Sequence, residues 1–253
     1  MSTELNFFLN KKILIYGLGK SGLSAFRFLK NKSDVFLYDD FISNIKTKSI
    51  RNYKICYKDL LKSKFDKIIL SPGIDINKCK LSNFLKKNHN KICSDLDIFY
   101  TFYKNDCITI TGTNGKSTTC QLLYEVLLKQ KFDVKLVGNI GNPILSEKNI
   151  KKKTIFVIEA SSYQLSYSKF FKSKYAVILN LAPDHIERHK TINGYVNSKF
   201  KLLKNQFKGN LAFVKKDDLL IIKKLKSTKF ESKIIRVNTK IIDKYLKIFK
   251  NNY

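Results

Sequence analysis

Proline is scarce in this sequence, with three in 253 residues, and glycine is little commoner, with ten. So few chain breakers make each glycine-rich spot informative. Cysteine occurs five times, at positions 56, 79, 93, 107 and 120, an odd number with no C-x-x-C pair. That pattern excludes a disulfide framework and a cysteine zinc site, and suits free thiols in a reducing compartment. No apolar run approaches the ~20 residues that span a bilayer. The first ten residues carry Glu4 and no charged segment ahead of their short apolar patch, so a signal peptide is not expected. A cytoplasmic location is.

Acidic residues are also few: 20 against 49 basic ones, for a net charge of +29. Lysines are spread along the whole chain and no aromatic-interleaved basic motif stands out. Dispersed charge favours a compositional bias over a nucleic-acid surface. Neither nucleic acid nor membrane is expected as a partner, although a basic protein attracts nucleotide substrates. What is present is core material. Hydrophobic residues make up 43%, including 19 Phe and 13 Tyr, which excludes a disordered chain.

Apolar runs alternate with amphipathic stretches. Strands are predicted at 12–16, 35–38 and 67–70, with a helix at 21–30 that places Leu23, Phe26 and Leu29 at helical spacing. The rhythm restarts with a strand at 107–111 and a helix at 117–130. Further strands are expected at 154–158, 176–180, 211–214 and 233–237. This βαβ pattern predicts an α/β fold with parallel sheets and helices on their faces. The expected division is a Rossmann-like domain over 1–93 and a P-loop α/β domain over 94–253.

Three clusters carry chemistry. Between a predicted strand and helix lies Gly112-Thr113-Asn114-Gly115-Lys116, followed by Ser117 and Thr118. Glycines let successive N–H groups curl round one anion, and the helix N-terminus adds partial positive charge. Lys116 can reach the outer phosphates of ATP, and the Ser117 hydroxyl suits Mg²⁺. The strict G-x-x-x-x-G-K-[ST] spacing fails, because Ile110 stands where its first glycine belongs. The second cluster is Gly17-Leu18-Gly19-Lys20-Ser21-Gly22, a G-x-G-x-x-G with Asp39 and Asp40 ending the next strand. Spacing alone reads as a dinucleotide site; more widely, it suits any nucleotide diphosphate. The third holds Glu159 at a strand end, a candidate magnesium ligand, and the run Asn180 to His189 after another strand. His185 and His189 have metal-pair spacing, but no Glu follows His185, so the H-E-x-x-H zinc pattern fails. Lys199 reads, from the residues alone, as a solvated helix lysine.

Together these blocks resemble the Mur ligase family of ATP-dependent amide-forming enzymes. Thr111 to Thr118 resembles its T-G-T-N-G-K-[ST]-T loop, which accounts for the failed spacing. Within the family, Ser71-Pro72-Gly73-Ile74, Gly138-Asn139-Ile140-Gly141-Asn142-Pro143 and Glu159-Ala160-Ser161-Ser162-Tyr163-Gln164-Leu165 resemble the branch that adds D-glutamate to UDP-N-acetylmuramoyl-L-alanine. The likeness runs through roughly residues 11–200. It implies that Gly112, Thr113, Asn114, Gly115, Lys116, Ser117 and Thr118 hold ATP. It implies that Ser117, Glu159 and His185 serve magnesium, with Lys199 matching a lysine that is carbamylated in the family. Lys116, Glu159, His185 and Lys199 then form the catalytic set. Gly19, Lys20, Ser21, Asp39, Gly73, Asn139, Ser161, Gln164 and His185 are implied as contacts of the UDP-sugar substrate. The implied reaction turns the alanyl carboxylate into an acyl phosphate, which the amine of D-glutamate then attacks.

The family continues into a third domain that supplies adenine contacts and the amino-acid site. No block here resembles it, and the last residues include a Lys/Ile-rich stretch over 240–250. The expectation is a monomeric chain without the D-glutamate site, inactive by itself in amide formation. A non-catalytic UDP-sugar- and ATP-binding remnant, and an amide ligase acting on folate or another muramoyl peptide, are the competing readings.

Overall fold

The computed structural model describes residues 7–41 and 48–238. The acidic Glu4 and the Lys/Ile-rich stretch lie outside the described residues. Two parallel sheets make up the molecule. The first has the order β2–β1–β3–β4, built from β1 (Lys12–Tyr16), β2 (Asp34–Tyr38), β3 (Lys67–Leu70) and β4 (Ile92–Cys93). The second has the order β10–β9–β8–β5–β7–β6. Its strands are β5 (Cys107–Thr111), β6 (Val134–Gly138), β7 (Ile155–Glu159), β8 (Tyr175–Ile178), β9 (Leu211–Lys215) and β10 (Lys233–Val237). Every pairing in both sheets is parallel.

Parallel strands need crossovers, and helices supply most of them. In the first sheet these are α1 (Lys20–Leu29), α2 (Tyr57–Lys62) and α3 (Ser82–Lys87). The linking helix α4 (Asp95–Phe102) leads into the second sheet. There α5 (Lys116–Lys129), α6 (Ser162–Tyr167), α7 (Ile186–His189), α8 (Ile192–Lys204) and α9 (Leu219–Ser227) follow. The predicted strand at 176–180 ends at Ile178, because Leu179 onward turns off towards the phosphate loop. No helix among the described residues is long and apolar enough to cross a membrane.

Strand alternation sorts the core. Ile13 and Ile15 point to one face of the first sheet and join Phe26, Phe99, Phe156 and Ile158 in a cluster that runs into the second sheet. Leu14 and Tyr16 point to the other face and pack with Leu60 and Leu85 of α2 and α3. A third cluster puts Ile110 and Val157 under Cys120 of α5. Helix α4 is the wedge between the sheets: Leu96, Ile98 and Phe99 are buried in the shared core. Its N-terminus is fixed by a capping box in which the Asp97 carboxylate accepts from the Ser94 N–H. Asp97 is fully buried and also accepts from the Ser168 hydroxyl and the N–H groups of Lys169, Phe170 and Phe171.

Both sheets reverse strand order at a central strand. In the first, β1 sits between β2 and β3; in the second, β5 sits between β7 and β8. Ligands of open α/β sheets bind beyond the carboxyl ends of strands at such a switch. The carboxyl ends of these six strands and the loops after them carry the glycine cluster, Asp39, the turn at Ser71, the phosphate loop, Glu159 and the run from Asn180.

Candidate active site

The phosphate loop leaves β5 at Thr111 and enters α5 at Lys116. Gly115 caps the helix with φ +80°, and Gly112 has φ +157°. Residues around the loop hold its shape. The Thr113 N–H donates to Asn180 O, the Asn114 N–H donates to Asn180 Oδ1, and Asn180 Nδ2 donates back to Asn114 O. Thr113 Oγ1 lies 2.9 Å from the Tyr195 hydroxyl and accepts from the Ala182 N–H. Lys116 folds over the loop and donates to Gly112 O at 2.9 Å and Thr113 O at 2.6 Å. Thr118, two residues beyond Lys116 on α5, is exposed.

Glu159 ends β7 beside this helix and is only 1% exposed. Its two oxygens have separate partners: Ser117 Oγ donates to Oε2, and Asn139 Nδ2 donates to Oε1, each at 2.8 Å. The approach is possible because Gly138 carries no side chain. A Cβ there would stand 2.3 Å from Glu159 O, at a φ of +110°. Burial among neutral donors keeps this carboxylate oriented towards the loop. Ser117 and Glu159 offer hard oxygen donors, and their 2.8 Å separation matches the ~2.9 Å edge of an octahedron with magnesium-length bonds. They would suit two positions of a Mg²⁺ shell, with phosphates and water to supply the rest. Among the described residues, no group of three or more His, Cys, Asp and Glu could hold a metal by itself.

Lys199 lies on α8 one turn beyond Tyr195, and both are buried. This corrects the expectation of a solvated helix lysine: its exposure is 2%. The reason is that α8 packs its inner face on the back of the phosphate loop. Lys199 Nζ donates to Gly112 O at 2.8 Å and to Thr111 Oγ1 at 3.3 Å, and sits 4.8 Å from the Tyr195 ring centre. Burial, with repulsion from Lys116, pushes its ammonium down to about 7. Two ammonium groups thus meet on one carbonyl, Gly112 O.

A cavity of about 320 Å³ opens on this pair, lined among others by Lys116, Asn139, Ser161, Asp184, His185 and Lys199. His185 caps α7 in the left-handed region, with φ 51°, and its Nε2 lies 3.3 Å from Asp184 Oδ2. The two histidines diverge. His189 Nε2 contacts Ser162 Oγ at 3.0 Å, and its ring stacks on Tyr163. Burial and the neighbouring Arg188 push His189 below the ordinary histidine range.

A second cavity, of about 510 Å³, lies beyond the first sheet. Gly19, Lys20 and Ser21 at the start of α1 line it, with Asp39, the turn at 71–74, Asn139 and Gln164. The glycines are required here. A Cβ on Gly22 would stand 1.9 Å from Gly17 O, which already accepts from the Ser71 hydroxyl at 2.6 Å. Asp39 uses its carboxylate on the loop itself, accepting from the N–H groups of Leu18 and Phe41. Ser161 and Gln164 form the capping box of α6, and Gln164 Nε2 also reaches the buried Asp95 at 3.3 Å. Pro72, Gly73 and Asn139 line both cavities, so the two spaces adjoin.

The sites predicted from sequence therefore gather in two adjoining places. Asn180, Tyr195, Tyr163 and Arg188 were not singled out. Asn180 had a signal in its place after a strand, and Tyr195 in its position four residues before Lys199 on one helix face.

A Rossmann-like sheet joined to a P-loop-type sheet, with cavities that adjoin at their switch points, defines a two-sheet parallel α/β protein. Sequence comparison makes this more specific: residues 110–251 match the Mur ligase middle domain, and residues 11–93 match the Mur ligase MurD-like N-terminal domain. The chain belongs to the Mur ligase family. Among its relatives is a UDP-N-acetylmuramoylalanine--D-glutamate ligase of Rickettsia felis, 37% identical over 218 residues, covering 85% of this chain and 48% of the relative. The protein of that name from Caldicellulosiruptor bescii is 36% identical over 206 residues, covering 77% of this chain and 45% of the relative. The chain spans about half the length of the curated relatives it matches. In fold it is similar to UDP-N-acetylmuramate:L-alanyl-gamma-D-glutamyl-meso-diaminopimelate ligase of Neisseria meningitides. The TM-score is 0.57 at 16% identity, over 90% of this chain and 78% of that one. A murein peptide ligase of Psychrobacter arcticus gives 0.52 at 14% identity, over 90% and 53%.

Proposed function

We propose that this chain supplies the UDP-sugar and ATP sites of an ATP-dependent ligase joining D-glutamate to UDP-N-acetylmuramoyl-L-alanine. Residues 1–93 are read as the UDP-sugar-binding domain and 94–253 as the ATP-binding domain of a cytoplasmic enzyme of peptidoglycan precursor synthesis. The observation that carries the reading is the sharing of Pro72, Gly73 and Asn139 by the two cavities. A substrate whose diphosphate rests at the start of α1 can lay its muramoyl arm across that shared wall. Its alanyl carboxylate then faces the outer phosphate held by the loop.

The chemistry is mostly placement and charge neutralisation. The loop N–H groups and the N-terminus of α5 cradle the phosphates, and Lys116 swings from its carbonyls to the transferring group. The carboxylate oxygen bonds to the γ-phosphorus as the bond to ADP breaks, giving an acyl phosphate. The D-glutamate amine then bonds to the acyl carbon and inorganic phosphate leaves. Ser117 and Glu159 would hold Mg²⁺, which supplies compensating charge at the phosphate oxygens. Lys199, with its amine half neutral near pH 7, is suited to add CO₂; the resulting carbamate offers oxygen donors beside His185. Asn139 orients Glu159 and presents its remaining polar atoms to the substrate.

Calorimetry tests the reading. UDP-N-acetylmuramoyl-L-alanine and a non-hydrolysable ATP analogue with Mg²⁺ are each expected to bind once, and Lys116→Ala should remove the second site alone. Binding of neither ligand by the unaltered chain sinks the proposal. D-glutamate-dependent phosphate release reads the ligation step itself and separates a ligase from a non-catalytic binding module.

A further inference from the structure

The two cavities are joined by more than a shared wall. Arg188, on α7, reaches back to the first half of the molecule, where Nη2 donates to Ile74 O and, at 3.1 Å, to the Tyr167 hydroxyl. Tyr167 in turn donates to the same Ile74 O at 3.0 Å. The guanidinium lies over Tyr163, 3.8 Å from the ring centre. That ring packs on His185, with centres 5.0 Å apart. On the other side, Ser71 of the same turn is bonded to Gly17 O in the glycine loop. A continuous set of contacts thus runs from the glycine loop through the turn at 71–74 to Arg188, Tyr163 and the His185 wall.

We propose that Arg188 is a positioning residue that makes occupancy of the UDP-sugar cavity and of the ATP loop favour one another. The proposal rests on the reading that these cavities take those two ligands. A planar guanidinium can lie flat on a ring while its edge N–H groups bond acceptors in the same plane, a geometry that the compact, tetrahedral ammonium of lysine does not reproduce. When a UDP-sugar settles the glycine loop and the turn, the Arg188 contacts carry that order to the wall opposite Lys116. Thermodynamic linkage then requires the effect to be mutual.

The test is a coupling cycle by calorimetry: the affinity of each ligand, UDP-N-acetylmuramoyl-L-alanine and the ATP analogue with Mg²⁺, with and without the other. The unaltered chain should show mutual tightening of roughly fivefold or more. Arg188→Lys should reduce this to no measurable effect while leaving each separate affinity within about threefold, well inside the range a coupling term covers. Tyr167→Phe, which removes one hydroxyl and no charge, should weaken the coupling in the same direction and guards against a folding defect in the first variant. Coupling retained in Arg188→Lys overturns the inference. So does a loss of both separate affinities with their ratio preserved, because that is what a merely structural role produces. If the unaltered chain binds both ligands independently, this inference falls alone. If it binds neither, the functional reading falls and takes this one with it.

Discussion

Replacing Lys199 by methionine should change how stability depends on pH, and the size of the change follows from the burial of the ammonium. In the folded chain this group sits at about 7, against 10.5 for an ordinary lysine. Between those values the unfolded chain binds more protons than the folded one, so stability rises with pH across that window. Below it both states are protonated and the penalty stays at its full value. A fall from 10.5 to about 7 amounts to about 5 kcal/mol, with burial as the first cause and Lys116 as the second. Linkage returns about 2 kcal/mol of this between about pH 7 and about pH 9. Methionine keeps the length and apolar stem of the side chain and removes the charge. The stability difference, native chain minus Lys199→Met, should therefore rise by about 2 kcal/mol over that interval. In a protein of this size that is a relative Tm shift of roughly 4–8 °C. Urea unfolding in CO₂-free buffer at the two pH values measures it, and the subtraction removes the titration of other lysines. Parallel pH profiles for the two chains would refute the claim that Lys199 carries a depressed ammonium.

With ¹³C-labelled bicarbonate, the native chain should show one carbamate carbonyl resonance by NMR that Lys199→Met lacks; a spectrum without it removes the oxygen-donor role. Glu159→Gln replaces one of the two oxygens that accept from Ser117 and Asn139 and removes the charge, and should weaken Mg²⁺ in the complex with the ATP analogue by roughly 100-fold; calorimetry across a magnesium series decides. Gly138→Ala sets a Cβ against the Glu159 carbonyl at a positive φ, and should cost about 2–3 kcal/mol in urea unfolding. Asp97→Asn turns a carboxylate that accepts from Ser94, Ser168, Lys169, Phe170 and Phe171 into a mixed donor, and should cost about 3 kcal/mol by the same assay.

The central strands were legible because their signal is local. The bounds of β1, β3 and β5 follow directly from apolar runs, and the glycine clusters mark the loops after β1 and β5. Two edge strands were harder. β4 is two residues long, and β6 is half-buried with Lys135 as its second residue, so neither has a pattern of its own. At the site, Glu159 was readable from its place at a strand end, since topology sends such residues to the crevice. Lys199 was not readable from the residues, because its burial depends on α8 packing against a loop 87 positions earlier. The spacing of Asp39 brings it to the wall of the second cavity, but the hydrogen bonds its carboxylate accepts from the N–H groups of Leu18 and Phe41 carry no mark in the sequence. The roles of Asp95 and Asp97 also depend on distant chain segments, the turn after α6 above all.

The position of Lys116 has a consequence for anion selectivity. Its ammonium is held by Gly112 O and Thr113 O, groups of its own loop that are always at hand. Any anion that recruits this cation must first displace an intramolecular competitor at high effective concentration. A single weakly basic anion, such as chloride or acetate, offers too little in return. A polyphosphate that also engages the loop N–H groups and a divalent cation can complete the exchange. If the loop holds ATP as proposed, it would discriminate by requiring several contacts at once, and would screen out the small anions abundant around any strongly basic protein.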